Sequence, residues 1–140
     1  MTKKQKIIII TISILFILLI FIMSLSKIMT GNGDWKYELK NNYQIWRVNS
    51  NEIIIGKIED DSTLTPSIND NVVKFKYNDN YVVVGCSNDL KDNNLKYYII
   101  NLTTDEIIGP LNNTDLDKEN INITMNWIKT KPAPSGVKYE

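Results

Sequence analysis

Two hydrophobic patterns divide the chain. Residues 7–25 carry no charge and are broken only by Thr11, Ser13 and Ser24, and 15 of these 19 positions are Ile, Leu or Phe. A helix of that length covers about 28 Å, close to the roughly 30 Å hydrocarbon core of a bilayer. A domain of the size left over cannot surround a helix that is apolar on every side. The pattern therefore predicts a single transmembrane helix over about 7–25, with Ile7, Ile10, Ile14, Phe16, Leu18, Phe21 and Leu25 among the residues that meet membrane lipid. Lys3, Lys4 and Lys6 precede the run and Lys27 alone follows it closely, which predicts a cytoplasmic N-terminus and an exported remainder.

From Asp34 onward the dominant period is two, the signature of strands. Trp35, Tyr37 and Leu39 alternate with polar residues, Asn41-Asn42 marks a turn, and 43–48 reads as a second strand. Asn49-Ser50-Asn51 turns it into a hairpin partner over 52–58, and 59–71 reads as a polar loop around Pro66. Residues 72–77 form the next strand, and Asn78-Asp79-Asn80 a turn in which Asn or Asp tolerates positive φ. The run 81–86 (YVVVGC) is apolar on both faces, which predicts a central strand. A loop follows over 87–94, then strands over 95–102 and 106–109, with Pro110 expected to end the pairing because it has no N–H. Residues 114–120 predict a helical turn capped by Thr114, and the alternation of Ile121, Ile123, Met125 and Trp127 a final strand.

These elements predict an all-β fold: a mainly antiparallel meander of seven or eight strands, folded as a small sandwich or open barrel, with one short helical turn. The division is a cytoplasmic N-terminus and signal-anchor helix over 1–27, a linker over 28–33, an extracytoplasmic domain over 34–128 and a flexible tail over 129–140. With Lys27, the linker reaches only about 23 Å fully extended, so the domain is expected close to the lipid.

Charge and composition narrow the chemistry. The net charge is zero, but four of the 16 basic residues and none of the 16 acidic ones precede position 28, leaving −4 on the remainder. An acidic balance speaks against nucleic acid as a partner. The chain has no histidine, which removes Ser-His-Asp and Cys-His catalysis, and one cysteine, Cys86, which cannot make an internal disulfide. Asp115, Asp117 and Glu119 alternate as calcium ligands do, but Asn120 and Asn126 stand where such a loop needs Gly and Glu. No catalytic, metal or cofactor residue is therefore assigned. Ser24-Leu25-Ser26 has the small-x-small form of a signal-peptidase site, yet the apolar run exceeds the usual 7–15 residues of a cleaved leader, which favours retention.

Tyr97-Tyr98-Ile99-Ile100-Asn101, the later Ile107-Ile108-Gly109-Pro110-Leu111, the opening Gly33-Asp34-Trp35 and the strand 43–48 carry a resemblance. Together they resemble an uncharacterised family of small exported β domains from Gram-positive bacteria, a domain of unknown function. The resemblance implies a lipoprotein-like or membrane-anchored protein, and it brings no activity and no catalytic residues. Many members look like lipoproteins with a cysteine shortly before the Gly-Asp start. Here Met29-Thr30-Gly31 is followed by Asn32, so no thiol is available for acylation.

Trp35, Trp46, Trp127 and the seven tyrosines fall almost entirely in strand-like runs, where packing is their ordinary use. Trp46 beside Arg47 is the pair chosen as a partner-binding candidate, because Trp and Arg are enriched at binding hot spots. The leading expectation is a non-catalytic interaction module, tethered to the outer face of the plasma membrane and binding an unknown protein or cell-wall ligand. Two rivals stay open: an anchored immunity or inhibitor protein against an exported toxin, and a histidine-free surface hydrolase. Lys129, Lys131 and Lys138 raise the further option of contact with anionic lipid or wall polymer.

Overall fold

The computed structural model describes residues 4–5, 12–17, 34–60 and 63–139. The chain divides into two units, Met1–Gly33 and Asp34–Glu140. In the first, residues 12–17 are helical, and Ile12, Ile14, Leu15, Phe16 and Ile17 are each at least 60% exposed. Among the described residues no helix is long and apolar enough to cross a membrane. Ile7, Ile10, Leu18, Phe21 and Leu25 of the expected anchor lie outside the described residues, as does the linker 28–33.

The second unit holds ten strands and one helix among the described residues. Strands β1 (Trp35–Glu38), β2 (Tyr43–Asn49), β3 (Glu52–Asp60) and β4 (Thr63–Pro66) form one meander. A second is built from β5 (Asn71–Tyr77), β6 (Tyr81–Ser87), β7 (Lys96–Asn101) and β8 (Ile107–Leu111). Helix α1 (Asn113–Lys118) follows, then the two-residue strands β9 (Ile128–Lys129) and β10 (Lys138–Tyr139). The late strands return to the free edges, giving the orders β10-β1-β2-β3-β4 and β8-β7-β6-β5-β9, antiparallel throughout. The two sheets do not close into a barrel.

Alternation explains the packing. On the first sheet Trp35, Tyr43, Ile45, Ile53 and Ile55 point inward, and they meet Val72, Phe75, Val82, Val84, Cys86 and Ile100 of the second. Each fully buried aliphatic side chain contributes about 1.5–3 kcal/mol. Tyr37 joins the sheets at one side, its ring edge-on to Phe75 at 4.9 Å and its hydroxyl 3.0 Å from that of Tyr77. β6 sits at the middle of its sheet, as its two-sided apolar sequence predicts. Val83 and Ile99 face the opposite way, into a second cluster with Leu116, Ile121, Ile123, Met125 and Trp127.

Several expectations are corrected. The 59–71 loop contains β4, because Gly56 leaves an open slot that Leu64 fills; a Cβ there would stand 3.0 Å from Leu64 Cγ and 2.2 Å from the Thr65 carbonyl oxygen. Pro110 does not end pairing: β8 is an edge strand, Pro110 lies within it, and Leu111 still pairs with Tyr97 across a bulge. The 78–80 turn has no positive φ, since the Asn78 side chain accepts from the Asn80 and Tyr81 amides and holds it instead. The cap of α1 is Asn112, whose side chain accepts from the Asp115 amide at 2.9 Å, and not Thr114.

Residues 121–127 do not form a strand. Their period of two is real, but it lays apolar side chains onto the face of the second sheet while β8 and β9 occupy its edges. The flexible tail expected over 129–140 is also corrected. Thr130 is buried, its hydroxyl within 2.9 Å of both the Val72 and Val73 carbonyls, and β10 covers the edge of β1. Thr130→Val is expected to cost about 1–3 kcal/mol by removing the hydroxyl donor to the Val72 carbonyl, while the residue 130 amide still reaches that of Val73. Urea unfolding measures it, and a change below about 0.5 kcal/mol, typical of a surface site, would restore the flexible tail.

Candidate functional site

The two sheets treat their outer faces differently. That of the second sheet is covered by α1 and residues 121–127. On the first sheet the outward positions are Lys36 and Glu38 of β1, Gln44, Trp46 and Val48 of β2, and Ile54 and Ile58 of β3. No described segment forms a cluster over them, and Val48 is 40% exposed.

The register fixes the centre of this face. Trp46 pairs with Lys36 on one side and Ile54 on the other. The Lys36 ammonium lies 3.8 Å from the centroid of the Trp46 ring, a cation–π contact. The indole N–H donates to Gln44 Oε1 at 2.6 Å, which fixes the ring's rotation. A cleft of about 150 Å³ opens here, lined by Asp34, Trp35, Lys36, Trp46, Arg47 and Val48. The result is a rigid aromatic plate with an apolar flank at Ile54 and Val48 and a cation on one side.

Trp46 and Arg47 border the same cleft but point to opposite faces of the sheet. Arg47 stands in the inward register with Trp35 and Ile53 at the end of β2, and its Nε donates to the Asn49 carbonyl at 3.3 Å. Trp35 itself is buried, and among the described residues its indole N–H has no hydrogen-bond partner. Sequence reading missed Lys36, Gln44 and Ile54. Alternation placed each on a face, but the cross-strand register that gathers them around Trp46 was not visible.

The remaining polar candidates serve local structure. The Ser87 hydroxyl donates to Asp89 Oδ1 at 2.9 Å and accepts from the Lys91 amide, closing a loop turn. Asp115 pairs with Lys118 and with the Asn112 amide side chain. Among the described residues no three Cys, Asp or Glu side chains gather as a metal site. Cys86 is free and buried, and it lines a cleft of about 200 Å³ with Ser87, Asp89, Asn94 and Lys96. Burial first, then the charge of Asp70, pushes its thiol up to about 12, with Lys96 opposing. Burial and the hydrogen bond it donates to Asp70 Oδ2, at 3.0 Å, push the Tyr98 phenol to about 12 as well.

The chain matches a protein family of unknown function, DUF3997, over residues 40–130. It belongs to that family. The DUF3997 match takes in β2 through β9, with the whole of the second cluster and most of the first; β1 with Trp35, β10 and the first unit lie outside it. No curated protein and no solved structure matches the chain.

Raised values in this DUF3997 domain give a signed pH dependence. An acid whose folded pKa exceeds its unfolded one stabilises the fold fully below the unfolded value and loses that contribution as pH rises through the folded one. For Cys86 the window runs from its ordinary 9.0 to about 12, and for Tyr98 from 10.0 to about 12. Stability is expected to fall across that range, by a few kcal/mol at most from Cys86. Denaturant midpoints measured from pH 8 upward test this. Cys86→Ala should flatten the onset near pH 9, and an onset identical to that of the parent chain would sink the assignment to the buried thiol.

Proposed function

We propose that this chain is a non-catalytic binding module, held at the outer face of the plasma membrane by an N-terminal helix over 7–25, that takes a protein partner on the open face of its first sheet. The observation that supports the reading is the asymmetry between the sheets. One outer face is covered by the chain's own α1 and residues 121–127, while on the other Trp46, Lys36 and Ile54 are half-buried and no cluster among the described residues includes them. An aromatic ring locked by a side-chain hydrogen bond loses little entropy on binding, which is the property of a hot spot. The tether rests on the uncharged run 7–25 and the lysines before it.

Crosslinking on whole cells with a C-terminally tagged chain tests the face. One protein is expected to be enriched with the parent sequence and lost with Trp46→Ala, a loss of about thirtyfold or more in affinity for a hot-spot residue. Ile54→Lys should abolish it. Enrichment that survives both substitutions would refute the face as the site. If the captured protein is an exported toxin, and expression of the chain protects cells, the module acts as an inhibitor. The tether has its own test: protease added to intact, wall-stripped cells should remove the tag. A tag that resists until lysis, alongside a cytoplasmic control, would reverse the proposed orientation.

A further inference from the structure

The covered face of the second sheet ends in a cluster of cations. Lys74 of β5 pairs directly with Lys129 of β9, although like charges opposed across strands destabilise a sheet. Asp92 bridges the two, 3.2 Å from the Lys74 ammonium and 3.5 Å from that of Lys129. Their hydrogen bonds and charges hold the Asp92 carboxyl below its ordinary range, those of Lys74 foremost. Lys76, two residues along β5, lies 5.0 Å from the centroid of the Trp127 ring, and Lys74 lies 5.1 Å from the same ring. Among the described residues Lys76 forms no ion pair. Two ammonium groups, those of Lys74 and Lys76, thus stand near one indole, and a third, Lys129, joins Lys74 through the shared Asp92 carboxylate, on a domain whose overall balance is acidic.

Lys76 also borders a cleft of about 190 Å³, whose other walls are Val83, Leu116, Asp117, Asn120 and Ile121. The cluster and the cleft are therefore contiguous through one side chain. They differ in what they accept. Converging ammonium groups, each with three donors, suit a tetrahedral oxyanion that accepts from several sides. The cleft is lined by Val83, Leu116 and Ile121 together with the Asp117 carboxylate and the Asn120 amide; the carboxylate repels phosphate, and both polar groups accept hydroxyl donors.

We propose that this face is a binding site for a polyol-phosphate polymer, with phosphate over Lys74, Lys76 and Lys129 and a hydroxylated unit in the cleft beside Asp117 and Asn120. Along β5 the two lysines rise about 6.6 Å apart, so successive phosphates of a flexible chain can meet successive cations. The site lies on the opposite sheet from Trp46 and does not depend on the proposed protein partner.

The full chain, purified in a neutral detergent, can be titrated with end-labelled poly(glycerol phosphate) and followed by fluorescence anisotropy. Saturable binding that weakens with salt is expected. Lys76→Gln and Lys129→Gln should each raise Kd about tenfold and lower the salt slope by about one. Asp92→Asn should lower Kd, because it removes the competing anion; this opposite sign separates a local site from a general loss of folding. Lys40→Gln, on the first sheet's side, should leave Kd unchanged. Absence of saturable binding at low salt, or an equal loss from Lys40→Gln, would overturn the proposal. Inorganic polyphosphate of equal length should bind more weakly, and equal affinity would overturn the role of the cleft. Tighter binding of a single-stranded oligonucleotide would overturn the choice of polymer.

Discussion

The central strand β6 presents apolar side chains to both sides of its sheet, and the rest of the domain is arranged to remove both from water. Val82, Val84 and Cys86 are covered by the first sheet. Val83 needs a second cover, which no further sheet provides. The chain supplies it after β8 with α1 and residues 121–127, whose apolar side chains arrive at a spacing of two and settle on Val83 and Ile99. Burial on this scale outweighs the absence of backbone pairing along 121–127. The segment's polar groups find other partners: the Asn122 carbonyl accepts from Asn78, and Met125 Sδ takes the Tyr77 amide at 3.1 Å.

That cover also sets where the charges stand. Bringing 121–127 across the sheet places Trp127 over the outer positions of β5, so the ammonium groups of Lys74 and Lys76 stand 5.1 and 5.0 Å from the centroid of an indole. Only one of the three late lysines singled out by sequence joins them. Lys131 donates to the Ser50 carbonyl and Lys138 pairs with Glu38, both against the first sheet's strands or turns. Cross-strand pairing of Lys74 with Lys129 follows from the need of β9 to close an open edge, and Asp92 offsets the repulsion.

Features set by local chemistry were legible in the sequence. Two-sided apolarity in 81–86 gave the central strand, and Asn41-Asn42 gave a turn in which both residues adopt positive φ, 55° and 64°. What the sequence concealed were choices between equally alternating arrangements. A period of two describes a paired strand and an extended segment lying on a sheet face alike, so 121–127 was misread. Pro110 excludes a central strand but not an edge, and which edge is free is a property of the whole sheet. Residues 130–139 lack a periodic pattern because Thr130 is held by one hydroxyl and β10 by two residues. For the candidate site, sequence reading took Trp46 and Arg47 as one pair, although neighbours in a strand point to opposite faces, as the register shows. Their neighbours Lys36 and Ile54 emerged only from the register.

The two outer faces point away from one shared core, and the sheets of such a pair stand about 10 Å apart. Substitutions on opposite faces therefore share no partner, and sites separated by more than about 7–10 Å with no common contacts change stability and binding additively. The core itself is the exception. A change at Phe75 or Val84 touches the first sheet directly and the second through the backbone of β5 and β6, so it would perturb both surfaces together. Loss at one face with the other intact thus speaks for a surface contact, and joint loss for damage to the core. In a domain with no histidine and one buried thiol, that contrast separates recognition from folding without any enzymatic readout.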